Sequence, residues 1–145
     1  MKERRDIEVE LIKKAMEMKE KAYAPYSKFK VGAALLAKSG KIYGGCNVEN
    51  ASYGLSVCAE RVAIFKAVSE GERKFEKLAV VTDLDEPAAP CGMCRQVMIE
   101  FGDFEVIMVS RDGSKIERRK VSELIPKAFT PSHLKKVADD GSKKS

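Results

Sequence analysis

Apolar residues recur at Ile7, Leu11, Ala15, Met18 and Ala22, spaced four, four, three and four apart. That spacing draws one apolar stripe along a helix. Ala24-Pro25 closes it, because the residue before a proline disfavours helical backbone. The rhythm then changes: Phe29 to Ala37 and Ile42 to Val48 read as two strands joined into a hairpin by Lys38-Ser39-Gly40-Lys41. Gly44-Gly45 inside the second strand implies a bulge, or a place where another group comes close to the backbone.

A loop from Glu49 to Val57 leads to a helix that starts near Cys58 and ends at Gly71, a favoured residue just past a helix end. Leu78-Ala79-Val80-Val81 is a continuous apolar run, as in a strand buried on both faces. After the loop Asp83 to Pro90, a short helix runs from about Cys91 to Phe101 and stops at Gly102. Phe104 to Val109 is another buried strand, 111–114 a turn, and Lys115 to Val121 an edge strand. The order is helix, hairpin, helix, strand, helix, strand, strand, helix. Strand-helix-strand units require crossovers and favour parallel pairing in the middle of a covered sheet. The expected fold is α/β: a three-layer α/β/α sandwich with a mixed sheet of about five strands. It should form a single domain over 1–138, with 139–145 disordered.

Composition narrows the function. The chain has 145 residues, 44% hydrophobic and 34% charged, the balance of a soluble protein with a packed core. No uncharged apolar run approaches a membrane span. The start, Met1-Lys2-Glu3-Arg4-Arg5, lacks the apolar stretch of a secretion signal, so a cytoplasmic location is expected. The formal charge of +5 raises the question of nucleic acid. However, the basic residues are mostly interleaved with glutamates, apart from a small cluster at Lys135, Lys136, Lys143 and Lys144. A nucleic-acid footprint is a one-sided patch or stripe. The composition therefore reads as a solvated surface with a basic tail, with neither nucleic acid nor membrane as partner.

The four cysteines point to a metal or to catalysis rather than to disulfides. Cys91-Gly92-Met93-Cys94 opens the third helix, and Cys58-Ala59-Glu60 opens the second. In such sheets ligands collect beyond the C-terminal ends of parallel strands, where helix N-termini converge. Two helices entering there would bring three sulfurs together. Zinc favours thiolate, and a two-residue gap lets both cysteines of a C-x-x-C reach one ion. Helix N-termini stabilise the thiolates. With Cys58 as third ligand, a fourth position stays open for water, whose pKa zinc lowers towards neutrality. Glu60 is close enough to exchange protons with that water without binding the metal.

Each part also has a plainer reading. A C-x-x-C can be a redox pair or half of a structural zinc site, and Glu60 an ordinary first-turn residue. A closed structural site requires a fourth protein ligand. The spare candidates are Cys46, expected to pack as a small core residue, and His133, expected on the surface. Taken together, the set favours an open catalytic site of the form C-x-E…P-C-x-x-C, a signature already described for zinc-dependent nucleobase deaminases.

At these residues the chain resembles the small homotetrameric cytidine deaminases, from about Ala24 to Leu134. The resemblance is carried by Phe29-Lys30-Val31-Gly32-Ala33-Ala34-Leu35, by Gly45-Cys46-Asn47-Val48-Glu49-Asn50-Ala51-Ser52, by Cys58-Ala59-Glu60-Arg61, and by Pro90-Cys91-Gly92-Met93-Cys94-Arg95-Gln96. It implies zinc, one ion per subunit, on Cys58, Cys91 and Cys94, with Glu60 as proton shuttle. It places Asn47 and Glu49 on the ribose hydroxyls, Glu49 accepting from the 3′-OH, and stacks Phe29 on the pyrimidine. Backbone groups near Ala59 and Cys91 would grip the base edge, and Phe129 would reach into a neighbouring subunit's site. The implied activity is hydrolysis of free cytidine and deoxycytidine to uridine and deoxyuridine, in pyrimidine salvage. Without the resemblance, Asn47 and Glu49 read as a strand end and a surface loop.

Three thiolates would leave a zinc site net negative and a poorer electrophile. A guanidinium donating to the sulfurs would draw off some of that charge. Arg61 or Arg95 could do so, and the resemblance favours Arg61. A deaminase of single-stranded nucleic acid would share the zinc motifs, but it requires aromatic and basic residues tracking the strand, and the chain has no tryptophan. A deaminase of a cytosine-containing antibiotic could use the same scaffold, but a ribose clamp at Asn47 and Glu49 argues against it. A non-enzymatic zinc-stabilised module would hold the metal without turnover.

Overall fold

A computed structural model describes residues 2–135; the tail 139–145 expected to be disordered, and Lys136, Lys143 and Lys144, lie outside the described residues. The stripe around Leu11 forms helix α1 (Lys2–Lys19). Strands β1 (Val31–Ala37) and β2 (Ile42–Cys46), helix α2 (Ala59–Ser69), β3 (Phe75–Thr82), α3 (Gly92–Glu100), β4 (Glu105–Val109), β5 (Ile116–Lys120) and the short α4 (Val121–Leu124) follow in the expected order.

The sheet order is β2-β1-β3-β4-β5, with β3 and β4 parallel and the other pairs antiparallel. A parallel pair requires a crossover, which α3 supplies. Side chains alternate faces along a strand, so the central strands feed two separate cores. On one face Ala33, Leu35, Leu78, Val80, Val106 and Met108 pack with Ala63 and Ile64 of α2 and Met98 of α3. On the other, Ala34, Leu36, Ala79, Val81, Ile107 and Val109 pack with Leu11 and Ala15 of α1. Burial of each large side chain, such as Leu35 or Ile107, stabilises the fold by about 1.5–3 kcal/mol. The architecture is thus the expected three-layer sandwich with a mixed five-stranded sheet.

Several boundaries move, each for a local reason. Helix α1 stops at Lys19 rather than running to Ala24, because the amides of Glu20, Lys21 and Ala22 bond three residues back and tighten the chain into a turn. Strand β1 begins at Val31, not Phe29, since the amides of Phe29 and Lys30 go to side chains instead of a ladder. Strand β2 ends at Cys46, and Val48 makes only isolated bridges to Tyr23 and Val57. Strand β3 starts earlier than the apolar run, because Glu76 and Lys77 belong to it and interrupt the pattern.

The paired glycines form no bulge: Gly44 and Gly45 pair in regular register with Ala34 and Ala33. Close approach is the reason for Gly45. A Cβ there would lie 2.5 Å from the Ala59 carbonyl oxygen and 2.6 Å from the Ala63 nitrogen, so α2 rests directly on the β2 backbone. Gly32 does the same for α1, where a Cβ would overlap the Ala15 carbonyl and the Lys19 backbone. At the β2 edge, Lys66 Nζ donates to the Gly44 carbonyl at 2.7 Å. The opposite edge strand, β5, is exposed along its whole length. Among the described residues no helix is long and apolar enough to cross a membrane.

Gly32→Ala and Gly45→Ala should each lower stability by about 1–3 kcal/mol, since the added carbon forces a helix off the sheet. Thermal denaturation should register this as a fall of several degrees. An unchanged melting temperature in both variants would mean that the helices lift without cost.

Candidate active site

Two helix starts meet on the α2–α3 side of the sheet. Cys58 is the residue that caps α2 and Cys91 the one that caps α3, both with extended backbone and neither using its side chain as a cap. Their sulfurs are therefore free to face each other, 3.5 Å apart. Cys94, one turn into α3, lies 3.4 Å from Cys91, and all three sulfurs fall within 4.8 Å of one another. Tetrahedral zinc with bonds of about 2.3 Å sets its sulfurs roughly 3.8 Å apart, so this trio fits the ion in both donor type and spacing. The Cys94 thiol is pushed up by its bond to Cys58 and by burial. Cys58 is lowered to about 5, chiefly by the Cys94 hydrogen bond and then by Arg61, against the effect of burial.

Glu60 sits in the first turn of α2 and is 4% exposed. Its Oε1 is buried and has no hydrogen-bond partner among the described residues. Such an oxygen is costly unless something outside the chain meets it. Burial, with a smaller push from the charge on Cys58, raises its pKa to about 7. Arg61 comes one turn after Cys58, and its Nη2 donates to the Cys58 sulfur at 3.6 Å. Arg95 is committed elsewhere: its Nε donates to the Pro90 carbonyl at 2.6 Å and its Nη1 to the Leu124 carbonyl at 3.0 Å. Of the two arginines, Arg61 is the one whose guanidinium reaches the Cys58 sulfur.

Two of the three, Cys58 and Cys91, open into a cleft of about 290 Å³ bordered also by Phe29, Asn47, Glu49 and Glu60, with further walls from Thr82, Ala88 and Ala89. It lies beyond the C-terminal end of β3, the position that open sheets reserve for ligands. Asn47 accepts from the Val31 amide at 2.9 Å and donates to the Phe29 carbonyl at 2.8 Å. One amide hydrogen and one lone pair remain for a ligand. Glu49 accepts from the amides of Tyr26 at 3.0 Å and Ser27 at 3.1 Å, and from the Ser27 hydroxyl. These bonds, the Ser27 hydroxyl foremost, hold its carboxyl below the usual range. Phe29 is half-exposed at the rim.

Not every residue singled out in the sequence comes to this cleft. Ala59 is buried at the start of α2, behind Cys58. Phe129 lies outside the cleft of its own chain. Its carbonyl accepts from Gln96 at 2.8 Å, and its exposed ring stacks on His133. His133 is on the surface as expected. Cys46 is a correction: it ends β2 half-buried, with its thiol on the Lys21 carbonyl, and belongs to neither core. Ser27, Thr82, Ala88 and Ala89 were not singled out from the sequence. Only Ser27, within a Pro-Tyr-Ser turn ahead of Phe29, carried any local signal.

Comparison with known proteins agrees with this geometry. Residues 5–110 match a family model described as the cytidine and deoxycytidylate deaminase zinc-binding region. A cytidine deaminase of Sporosarcina psychrophila is 50% identical over 136 residues, covering 92% of this chain and 98% of that one. One from Halalkalibacterium halodurans is 54% identical over 126 residues, covering 86% and 95%. The crystal structure of the cytidine deaminase from Burkholderia pseudomallei superposes with a TM-score of 0.79 at 51% identity, covering 82% of this chain and 96% of that one. With its thiol trio inside the matched zinc-binding region and its fold shared over most of its length, this chain belongs to the cytidine deaminase family.

Proposed function

We propose that this chain hydrolyses free cytidine and deoxycytidine to uridine and deoxyuridine, releasing ammonia. The observation that carries the reading is the buried, unpartnered Glu60 carboxylate beside three converging thiols at the base of the cleft. Cys58, Cys91 and Cys94 would hold one zinc ion per chain. Bound there, zinc supplies Lewis acidity and lowers the pKa of water towards neutrality. Glu60 then moves the protons. With a pKa near 7 it can both take and give them at neutral pH. It takes one proton from water as the oxygen adds to C4 and delivers it to N3. It then carries the second to the 4-amino nitrogen, which leaves as ammonia, so one water is consumed for each ammonia released.

The remaining residues bind and orient. Phe29 stacks on the pyrimidine, the backbone of Cys91 meets the base edge, and Asn47 and Glu49 take the ribose hydroxyls, Glu49 at the 3′-OH. A free nucleoside suits this cleft better than a nucleotide: among the described residues no lysine or arginine borders it, and the Glu49 carboxylate would repel a phosphate at the 3′ position. Phe129 is exposed and its carbonyl is bonded by Gln96 of α3; in a homotetramer its ring would enter the site of a neighbouring copy. Thiols kept reduced for metal suit the cytoplasm and a role in pyrimidine salvage.

Ultraviolet-monitored turnover of cytidine and deoxycytidine by the zinc-loaded protein should show conversion to the uracil nucleosides. Glu60→Ala should lower kcat by at least about a hundredfold while metal analysis still finds zinc. A folded, zinc-loaded wild type without turnover would instead favour another cytosine-bearing substrate or a zinc-stabilised module. Arg61→Ala should reduce rate or zinc affinity by about tenfold to a hundredfold, because the Cys58 sulfur loses its donor. Unchanged activity and metal content in that variant would remove Arg61 from the mechanism.

A further inference from the structure

One partly buried ion pair lies outside the lining of the cleft. Lys19, the last residue of α1, places its Nζ 2.8 Å from Asp83 Oδ1, and the Lys19 side chain is only 9% exposed. The other oxygen of Asp83 accepts from the backbone N–H of Lys30 at 2.8 Å. We propose that Asp83, with Lys19 as its counter-ion, is a positioning residue that fixes the Phe29 wall of the cleft relative to the loop carrying Ala88, Ala89 and Cys91.

The pairing of β1 with β3 stops at Val31 and Thr82. The segment ahead of it has no ladder, and Lys28 is held at φ 61, a region that L-residues adopt only where the surroundings impose it. Three successive amides are secured one by one by side chains. Phe29 N–H goes to the Ser27 hydroxyl at 3.0 Å, Lys30 N–H to Asp83, and Val31 N–H to Asn47 at 2.9 Å. Ser27 and Asn47 belong to the same wall as Phe29 or to the β2 end beside it. Asp83 alone is the first residue after β3, and so the first of the loop that descends to Cys91. It is therefore a direct side-chain bond between the segment ahead of β1 and the loop after β3. Gly32 makes the counter-ion possible, because a bare Cα there lets the Lys19 backbone settle onto β1 and turns its ammonium towards Asp83.

The inference rests on the reading of Phe29 as the stacking partner of the pyrimidine. The distinguishing experiment is steady-state kinetics with cytidine on zinc-loaded enzyme. Asp83→Ala should raise KM by about tenfold to a hundredfold, the effect of losing a charge-assisted hydrogen bond. Its kcat should stay within about threefold and its zinc content should be unchanged. Asp83→Asn keeps an acceptor for the Lys30 amide, so it should recover most of the KM while melting lower, with Lys19 left unpaired. Adding Lys19→Met to Asp83→Asn should then restore the melting temperature without disturbing KM. In the Phe29→Ala background, Asp83→Ala should add little to KM, since effects acting through one group are not additive.

Phe29→Ala with a wild-type KM would overturn the stacking role and this inference with it. A raised KM in Phe29→Ala beside a wild-type KM in Asp83→Ala would overturn this inference alone. So would full additivity of the two, or a loss of kcat and zinc that tracks stability. Should Asp83→Ala fail to fold, Asp83→Asn carries the same decision: a KM as high as that of Phe29→Ala would mean that the Lys30 amide bond is not what holds the wall.

Discussion

Three sulfurs and a buried carboxylate crowd one place at the ends of two helices, and the rest of the structure keeps that concentration of negative charge tolerable. Cys94 and Glu60 are both buried, so water stabilises the charged form of neither. The compensation comes from several directions. The N-terminal ends of α2 and α3 carry partial positive charge, the Arg61 guanidinium lies on the Cys58 sulfur, and the donor set matches a divalent cation. Glu60 answers differently, with a carboxyl pushed up until it holds its proton close to neutrality. The same burial that would destabilise a permanent charge makes the group suited to moving one.

That arrangement demands rigid helix placement, and the sheet provides it through absence of side chains as much as through packing. The α2 backbone rests on Gly45, which fixes the level at which Cys58 and Glu60 emerge. The α3 end is tied by Arg95 to the Pro90 carbonyl, immediately ahead of Cys91. The two helices share one core with β1, β3 and β4, so neither can shift without disturbing side chains that are fully buried. Packing energy far from the cleft is in this way converted into distances between sulfurs.

Periodicity made most of this fold legible in the sequence. The stripe through Leu11 and Ala15, the apolar runs of β3 and β4 and the hairpin turn all have short-range signatures, and the elements appear in the expected order. The candidate site was legible for a different reason: Cys58, Glu60, Cys91 and Cys94 lie in two short motifs, each spanning a single helix start. What stayed hidden depends on partners distant in sequence. No local pattern marks Asp83 as the acceptor for Lys30, or Ala88 and Ala89 as cleft wall. Strand β1 starts later than its apolar run because side chains, not a neighbouring strand, take the first amides. The choice between Arg61 and Arg95 needed three dimensions, since both follow a cysteine closely but only Arg61 turns back towards its sulfur.

An open sheet has two free margins, and strands from other molecules can extend it at either. Here both margins resist that. The outer strand, β5, carries Glu117, Arg118, Arg119 and Lys120 in succession, and an incoming strand would have to strip water from that row of charges. On the far side the Gly44 carbonyl already has a donor in Lys66, so one of the acceptors an added strand would seek is taken. Lengthening the sheet into an open-ended fibre is therefore disfavoured at both margins.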